Sequence, residues 1–131
     1  MADLNFLAVG AATIVAFVIS STWYAILGNQ MMLLRGAKVI ETGPPPPWKI
    51  AVEFLRNAVV VLAIAWGVSQ LGPADLSSAL SLALVVWVAF PVVLLVGSVI
   101  WEDVQTKLAA IHAGDWLVKL LAVTAIVAVW G

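Results

Sequence analysis

A long uncharged stretch in the second half of this chain limits the class of structure it can form. The 26 residues from Leu76 to Trp101 contain no Lys, Arg, Asp, Glu or His, and they lie between Asp75 and Glu102. As a helix rising about 1.5 Å per residue, this stretch would be roughly 39 Å long, more than the ~30 Å hydrocarbon core of a bilayer. It therefore predicts a membrane-spanning helix.

Composition indicates that the rest of the chain has the same character. Hydrophobic residues make up 64% and charged residues 10% of the 131 positions, and the mean hydropathy is +1.13. Soluble domains carry about a quarter charged residues. The length leaves room for about four spans with short loops and none for a separate soluble domain. The absence of cysteine excludes disulfides and thiolate chemistry, and a net charge of -1 implies no nucleic-acid partner.

Apolar runs and turn signals predict an all-α fold, an integral membrane four-helix bundle in a single domain of residues 1–131. The predicted helices cover residues 5–27, 48–71, 76–101 and 111–130. No basic residue precedes the first helix, so we expect it to be retained rather than cleaved as a signal peptide. The connection of residues 28–47 holds a run of four prolines, interpreted as a stiff polyproline elbow, and Met31 to Leu34 are expected to lie on the membrane surface.

The distribution of basic residues predicts the orientation. Arg35, Lys38, Lys49 and Lys107 lie in or beside the connections between helices one and two and between helices three and four. The other turn and both termini have no Lys or Arg. The positive-inside rule then predicts two cytoplasmic loops and an N-out/C-out protein in a bacterial cytoplasmic membrane, with the lipid bilayer as its first partner.

Polar side chains at helical spacing open two of the predicted helices. In helix two, Glu53 and Arg56 are spaced to pair within the helix, and in helix four Asp115 precedes Lys119 in the favourable i,i+4 order. We expect these groups at the cytoplasmic boundary, either as a network that only stabilises the helix ends or as a functional site. The candidate polar cluster comprises Glu53, Arg56, Asn57, Glu102, His112, Asp115 and Lys119.

Two further features concern packing inside the membrane. Trp87 lies too deep for an interfacial aromatic belt, so its indole N–H is expected to find a partner inside the bundle, and Pro91 is expected to kink helix three, as a structural bend or a gating hinge. In helix one, small residues recur at every fourth position and form a ridge suited to close packing, within the subunit or at a dimer seam. The ridge comprises Ala8, Ala12, Ala16 and Ser20.

Several short motifs occur in a characteristic order. They are Asn5-Phe6-Leu7-Ala8, Trp23-Tyr24 followed by Gly28 and Met32, Trp87-x-x-Phe90, Ile100-Trp101-Glu102 and Ile111-His112-Ala113-Gly114-Asp115. Together they resemble the bacterial domain-of-unknown-function family DUF1761, small four-span membrane proteins with no assigned activity. The chain departs from that pattern at Ala89, where glycine is usual, and at Gln30-Met31, where lysine and tryptophan are frequent. The resemblance implies a fold and a membrane location but no chemistry.

Three classes of function follow from this content. A structural or accessory membrane subunit, homo-oligomeric or part of a larger complex, is favoured by the apolar outer half, the ridge and seven tryptophans. The alternative is a small transporter or channel for a proton, cation or small apolar solute. Its binding groups would be Glu53 and Glu102, or a pocket at Trp87 and the helix break at Pro91. An intramembrane enzyme comes last, because one histidine and no nucleophile–base motif leave no catalytic residue to name. No cofactor or metal is predicted, since His112 alone cannot supply both axial ligands of a haem.

Overall fold

A computed structural model describes residues 5–34, 46–72 and 75–130 of the protein. Its helices are α1 (Phe6–Leu34), α2 (Pro47–Leu71), α3 (Leu76–Trp87), a π-helical turn (Val88–Val92), α4 (Val93–Trp101) and α5 (Thr106–Trp130). We call α3, the π-helical turn and α4 together the third span. Four segments are long and apolar enough to cross a membrane: Phe6–Gly28, Pro47–Gln70, Leu76–Trp101 and Thr106–Trp130. The predicted all-α fold with four membrane-length helices is confirmed, and the protein is a multi-pass membrane protein.

Two helices are longer than the sequence pattern predicted. α1 continues to Leu34 rather than ending at residue 27, so the segment expected on the membrane surface is the last turn of that helix. α5 begins at Thr106 rather than at residue 111. Neither extension contains a proline, and one glycine within a helix is tolerated at a cost of about 1 kcal/mol. The local sequence therefore contains no residue that forces α1 to end at residue 27 or α5 to begin at residue 111.

The helix ends that the structure describes follow familiar capping chemistry. Pro46, the last residue of the proline run before α2, has the extended conformation (φ -61°, ψ 149°), and Pro47 is the first helical residue, a position where its missing N–H costs nothing. Residues 35–45 of the predicted polyproline elbow lie outside the described part of the chain. α2 ends at Leu71 and is capped by Gly72, whose left-handed conformation (φ 55°) lets its N–H bond the carbonyl of Val68.

Asp75 caps the start of α3. Its side chain accepts a hydrogen bond of 2.8 Å from the backbone N–H of Ser78. This bond holds the pKa of the Asp75 carboxyl below its ordinary value, because the backbone N–H favours the charged form. The first turn of the third span is thus fixed by a side chain at the end of the membrane segment.

Pro91 alters the third span without ending it. It lies buried in the π-helical turn, and the helix continues through α4. Proline has no N–H and clashes with the preceding turn of an α-helix, and the wider π-turn accommodates that break in the hydrogen-bond ladder. The α-helical hydrogen-bond pattern is therefore interrupted at Pro91 by a π-turn, and the kink expected there stays a prediction.

α5 is the central helix of the bundle. It packs against α1, α2 and α3, and α1 also packs against α2, whereas the third span packs mainly on α5. The small-residue ridge of α1 faces inward, since Ala8, Ala12 and Ala16 are buried against these neighbours. Of the two roles left open for the ridge, packing within the subunit is the one that the structure shows. The side chain of Asn5 donates to the backbone carbonyl of Trp130 (3.3 Å), so α1 begins where α5 ends.

Candidate functional site

A buried ion pair lies near the middle of α5. Asp115 and Lys119 are 2% and 7% exposed, and the Lys119 Nζ is 3.6 Å from Asp115 Oδ2. The predicted i,i+4 pair is confirmed, but its position along the helix differs from the prediction. Because α5 begins at Thr106, the two residues flank the midpoint of Thr106–Trp130 instead of lying in the opening turns of the helix.

α1 supplies two hydroxyl groups to this pair. Ser20 Oγ donates to Asp115 Oδ1 (2.9 Å) and accepts from Lys119 Nζ (3.2 Å). Tyr24, one helical turn further along α1, places its hydroxyl 2.7 Å from His112 Nδ1 and 3.4 Å from Asp115 Oδ2. These five residues form a continuous chain of hydrogen bonds and charge contacts, which we call the α1–α5 network.

The Tyr24 hydroxyl can carry a proton between the two groups on either side of it. When His112 is protonated at Nδ1, it donates to the Tyr24 oxygen, which leaves the phenolic proton for Asp115. When Nδ1 is unprotonated, the same hydroxyl can donate to the ring instead. The network thus contains a donor–acceptor switch at its centre, between a carboxylate and an imidazole.

The network forms one wall of a cleft between α1, α2 and α5. The cleft has a volume of about 710 Å³. Its other wall is the N-terminal half of α2, from Trp48 and Lys49 at the helix start to Asn57. Such a volume falls within the range of about 300–1,000 Å³ typical of small-molecule sites.

The polar residues that α2 contributes are satisfied mainly within that helix. Arg56 pairs with Glu53, as the sequence spacing predicted, and the two side chains are 65% and 50% exposed within the isolated chain. Asn57 is buried, and its side-chain amide donates to the backbone carbonyl of Glu53 (3.0 Å). Glu53 and Arg56 line the cleft from α2, and Lys119 lines it from α5.

Aromatic rings complete the cleft. Lys119 Nζ lies 4.1 Å from the centroid of the Trp116 ring, and Lys49 Nζ lies 5.7 Å from that of Trp48. Both distances are within the range of cation–π attraction. The cleft therefore combines ionic groups with large apolar faces.

Three of the predicted site residues lie elsewhere. Glu102 is exposed at the C-terminal end of α4 and does not line the cleft, so the expected single cluster does not include it. The turn through Asp103 (φ 56°) separates it from α5, and Asp115 lies more than two helical turns further on. Trp87 donates its indole N–H to the carbonyl of Ala113 (2.9 Å), which confirms the expected partner inside the bundle, and buried Pro91 lies in the same span.

Sequence reasoning missed the role of the aromatic pair on α1. Trp23 donates its indole N–H to the carbonyl of Ile111 (2.9 Å), and its ring lies where a side chain at Gly114 would begin. A Cβ built at Gly114 would be 2.5 Å from Trp23 Cζ2. Tyr24 continues the four-residue spacing of the ridge beyond Ser20, a signal that could have placed it on the inward face.

Within the described residues, no group of three or more His, Asp and Glu side chains is arranged to hold a metal ion. The polar groups of the site contact one another instead. The model of the DUF1761 family, proteins of unknown function, matches residues 7–128. The chain belongs to this family.

This membership confirms the resemblance seen in the motifs. The matched region of the DUF1761 model includes the α1–α5 network, both walls of the cleft and the third span. No curated protein and no solved structure matches the chain. The family description supplies no activity, so a function has to be argued from the site.

Proposed function

We propose that this DUF1761 protein is a small membrane transporter that binds a solute in the cleft and couples its movement to protonation of the α1–α5 network. The observation that carries the proposal is the Asp115–Lys119 pair, buried near the middle of a span and lining a cleft of about 710 Å³. Ionisable groups are costly at this depth in a bilayer, and where they occur they mark solute or proton pathways.

Stability alone is a weak reason for such a pair. Replacing a buried ion pair by well-packed apolar residues is often neutral or stabilising, because desolvation offsets the Coulomb attraction. A purely structural network would also have no need of an adjoining cleft. The features that favoured an accessory subunit have partners inside the chain: the ridge packs within the bundle, and Trp23 and Trp87 bond backbone carbonyls of α5.

The network offers a chemical basis for coupling. Protonation of Asp115 removes the charge that balances Lys119, and the Tyr24 hydroxyl connects Asp115 to the imidazole ring of His112. A solute that contacts the pair would change the same balance of charge. Solute binding and proton binding are thereby linked through one site.

Two buried hydroxyl groups lie beyond Lys119, toward the end of the bundle that is opposite the cleft. Thr124 on α5 is fully buried, and its Oγ1 has no hydrogen-bond partner among the described residues. Thr13 on α1 is also buried and donates to the carbonyl of Val9 (2.8 Å). These groups support an outward path in a half of the bundle where no span carries an acidic residue.

The proposal includes an orientation. The cleft extends to Trp48 and Lys49 at the start of α2, the end next to the connection that contains Arg35 and Lys38. The positive-inside rule supports a cytoplasmic position for this end, with both termini on the other side of a bacterial cytoplasmic membrane. The proximity of Asn5 and Trp130 supports an arrangement with both termini on one face.

Proton flux in liposomes tests the proposal. Purified protein would be reconstituted with an entrapped pH-sensitive dye, and a panel of organic cations, anions and neutral solutes would be added outside. We expect at least one class of solute to drive proton movement with the wild-type protein and not with Asp115→Asn. Glu102→Gln, which removes an acidic group outside the cleft, should retain the flux. Wild-type flux no greater than that of protein-free liposomes, or equal flux from Asp115→Asn, would contradict the proposal.

A homo-oligomeric or accessory subunit remains the second candidate, supported by the outer face of the third span. Phe90, Leu94 and Ile100 are exposed in the single chain, and Ala63 and Gly67 form an open notch on α2. Mass measurement in lipid nanodiscs after purification in mild detergent tests this role. A defined oligomer or fixed partner would support it, and uniform monomer would contradict it. Neither candidate includes an enzymatic activity.

A further inference from the structure

We infer that the cleft takes an organic monoanion: a carboxylate or phosphate head bound between Arg56 and Lys119, with an apolar body against the aromatic walls. This inference rests on the proposed function in one respect, that the cleft is a solute site. The organic monoanion differs from the cation or apolar solute that the sequence suggested for a transporter.

The charges lining the cleft favour an anion. They are Lys49, Arg56 and Lys119 against Glu53 and Asp115. Glu53 pairs with Arg56 and Asp115 with Lys119, so both carboxylates already have a cationic partner. When His112 is neutral, Lys49 at the start of α2 gives the lining a net charge of +1. A monoanion with its head at Arg56 and Lys119 would bring the net charge of the cleft to zero, whereas a cation would raise it to +2, and unbalanced charge is costly in a membrane environment.

The hydrogen-bonding groups point the same way. Asp115 already accepts from Ser20 at one oxygen and from Tyr24 at the other. The Lys119 ammonium has three N–H donors and donates one to Ser20, while its distance of 3.6 Å to Asp115 exceeds that of a hydrogen bond. Arg56 has five N–H donors, and within the described residues one of them bonds Glu53. The cleft therefore offers donors from both walls to an acceptor placed between them.

The apolar lining sets the shape of the rest of the ligand. Phe17, Trp48, Ile50, Val52 and Trp116 surround the ionic groups. Their area suits an aromatic ring system or a medium aliphatic chain, and a small inorganic anion would leave it unfilled. Two sources share this chemistry, a free organic acid and an anionic lipid, because each has an anionic head on an apolar body.

Binding of matched ligands tests the inference. The protein would be placed in nanodiscs of zwitterionic phosphatidylcholine and titrated calorimetrically with 2-naphthoate, its neutral amide 2-naphthamide, and 1-naphthylmethylammonium. We expect 2-naphthoate to bind at least tenfold more tightly than either of the others. Arg56→Gln should weaken its binding tenfold or more, and Lys107→Gln, which removes an exposed cation outside the cleft, should change it less than twofold.

Arg56→Gln is the informative variant because Arg56 is exposed, so the protein should fold without it. A thermal unfolding curve matching that of wild type would verify this. Equal or tighter binding of the amide or the ammonium compound would overturn the inference. So would equal effects of Arg56→Gln and Lys107→Gln, since binding would then depend on surface charge alone.

A second lipid composition separates the two sources. The same titration would be repeated in nanodiscs that contain phosphatidylglycerol. If this lipid competes with 2-naphthoate and Arg56→Gln abolishes the competition, the occupant is the head group of an anionic lipid. Unchanged affinity would identify a free organic acid. A failure of this inference can also be distinguished from a failure of the transport proposal. Asp115-dependent proton flux without selective 2-naphthoate binding would refute this inference alone, and selective binding without flux would refute transport alone.

Discussion

Removing either partner of the Asp115–Lys119 pair should destabilise the protein about as much as removing both partners together. Either single change leaves one buried charge without its counterpart, and the double change leaves none. The variants are Asp115→Asn, Lys119→Met and their combination, each close in volume to the residue it replaces. The free energy of unfolding of the four proteins then forms a double-mutant cycle.

The magnitude follows from the geometry. At 3.6 Å and an effective dielectric constant of about 20, two unit charges attract by about 4–5 kcal/mol. Truncating one member of a buried pair costs about 3–5 kcal/mol, chiefly through the unpaired charge that remains. We expect each single variant to lose about this much and the double variant to lose no more than either, so the coupling energy should be at least about 3–5 kcal/mol.

The assay is equilibrium unfolding in mixed micelles with increasing dodecyl sulfate, followed by far-ultraviolet circular dichroism. The exposed pair provides a matched control in the same protein. Glu53→Gln, Arg56→Gln and their combination should give a coupling energy of about 0.2–1 kcal/mol, as is usual for solvent-exposed pairs. A buried-pair coupling no larger than that of the control would refute the reasoning, because burial would then not strengthen the interaction.

Three further predictions concern packing and capping. Gly114→Ala should cost about 1–3 kcal/mol, since the new methyl group would overlap the Trp23 ring. Trp87→Phe should cost about 1 kcal/mol through loss of the bond to the carbonyl of Ala113. Folding lowers the pKa of the Asp75 carboxyl, so the stabilising effect of this cap should be complete above its unfolded pKa of about 4 and be lost as pH falls through the lower, folded value. Asp75→Ala should abolish that acid-range part of the stability profile.

The two packing predictions, Gly114→Ala and Trp87→Phe, have control variants elsewhere in the chain. Gly97→Ala places a methyl group in open space and should be tolerated, and Trp101→Phe changes an exposed ring. Dodecyl sulfate titration measures both comparisons, and repeating it between pH 3 and pH 7 measures the capping effect. Equal losses for the two glycine variants, equal losses for the two tryptophan variants, or an unchanged acid profile in Asp75→Ala would contradict the respective prediction.

Local chemistry determined much of what the sequence could predict. The uncharged run of Leu76–Trp101 is recognisable without knowledge of its neighbours, because a helix satisfies its own backbone and apolar side chains favour lipid. Glu53–Arg56 and Asp115–Lys119 were likewise predictable, since helical geometry places residues three and four apart side by side.

Tertiary structure decided which polar groups meet and how deep they lie. Ser20 and Asp115 are far apart in sequence, and only the packing of α1 on α5 joins them. For the same reason, Glu102 lies outside the cleft although it was predicted in the cluster, and Tyr24 lines the cleft although it was not predicted there. In a soluble protein an apolar stripe reveals the inward face of a helix, but lipid and core are about equally apolar. Hydrophobicity therefore predicted that these helices cross the membrane, and close packing selected the faces that meet.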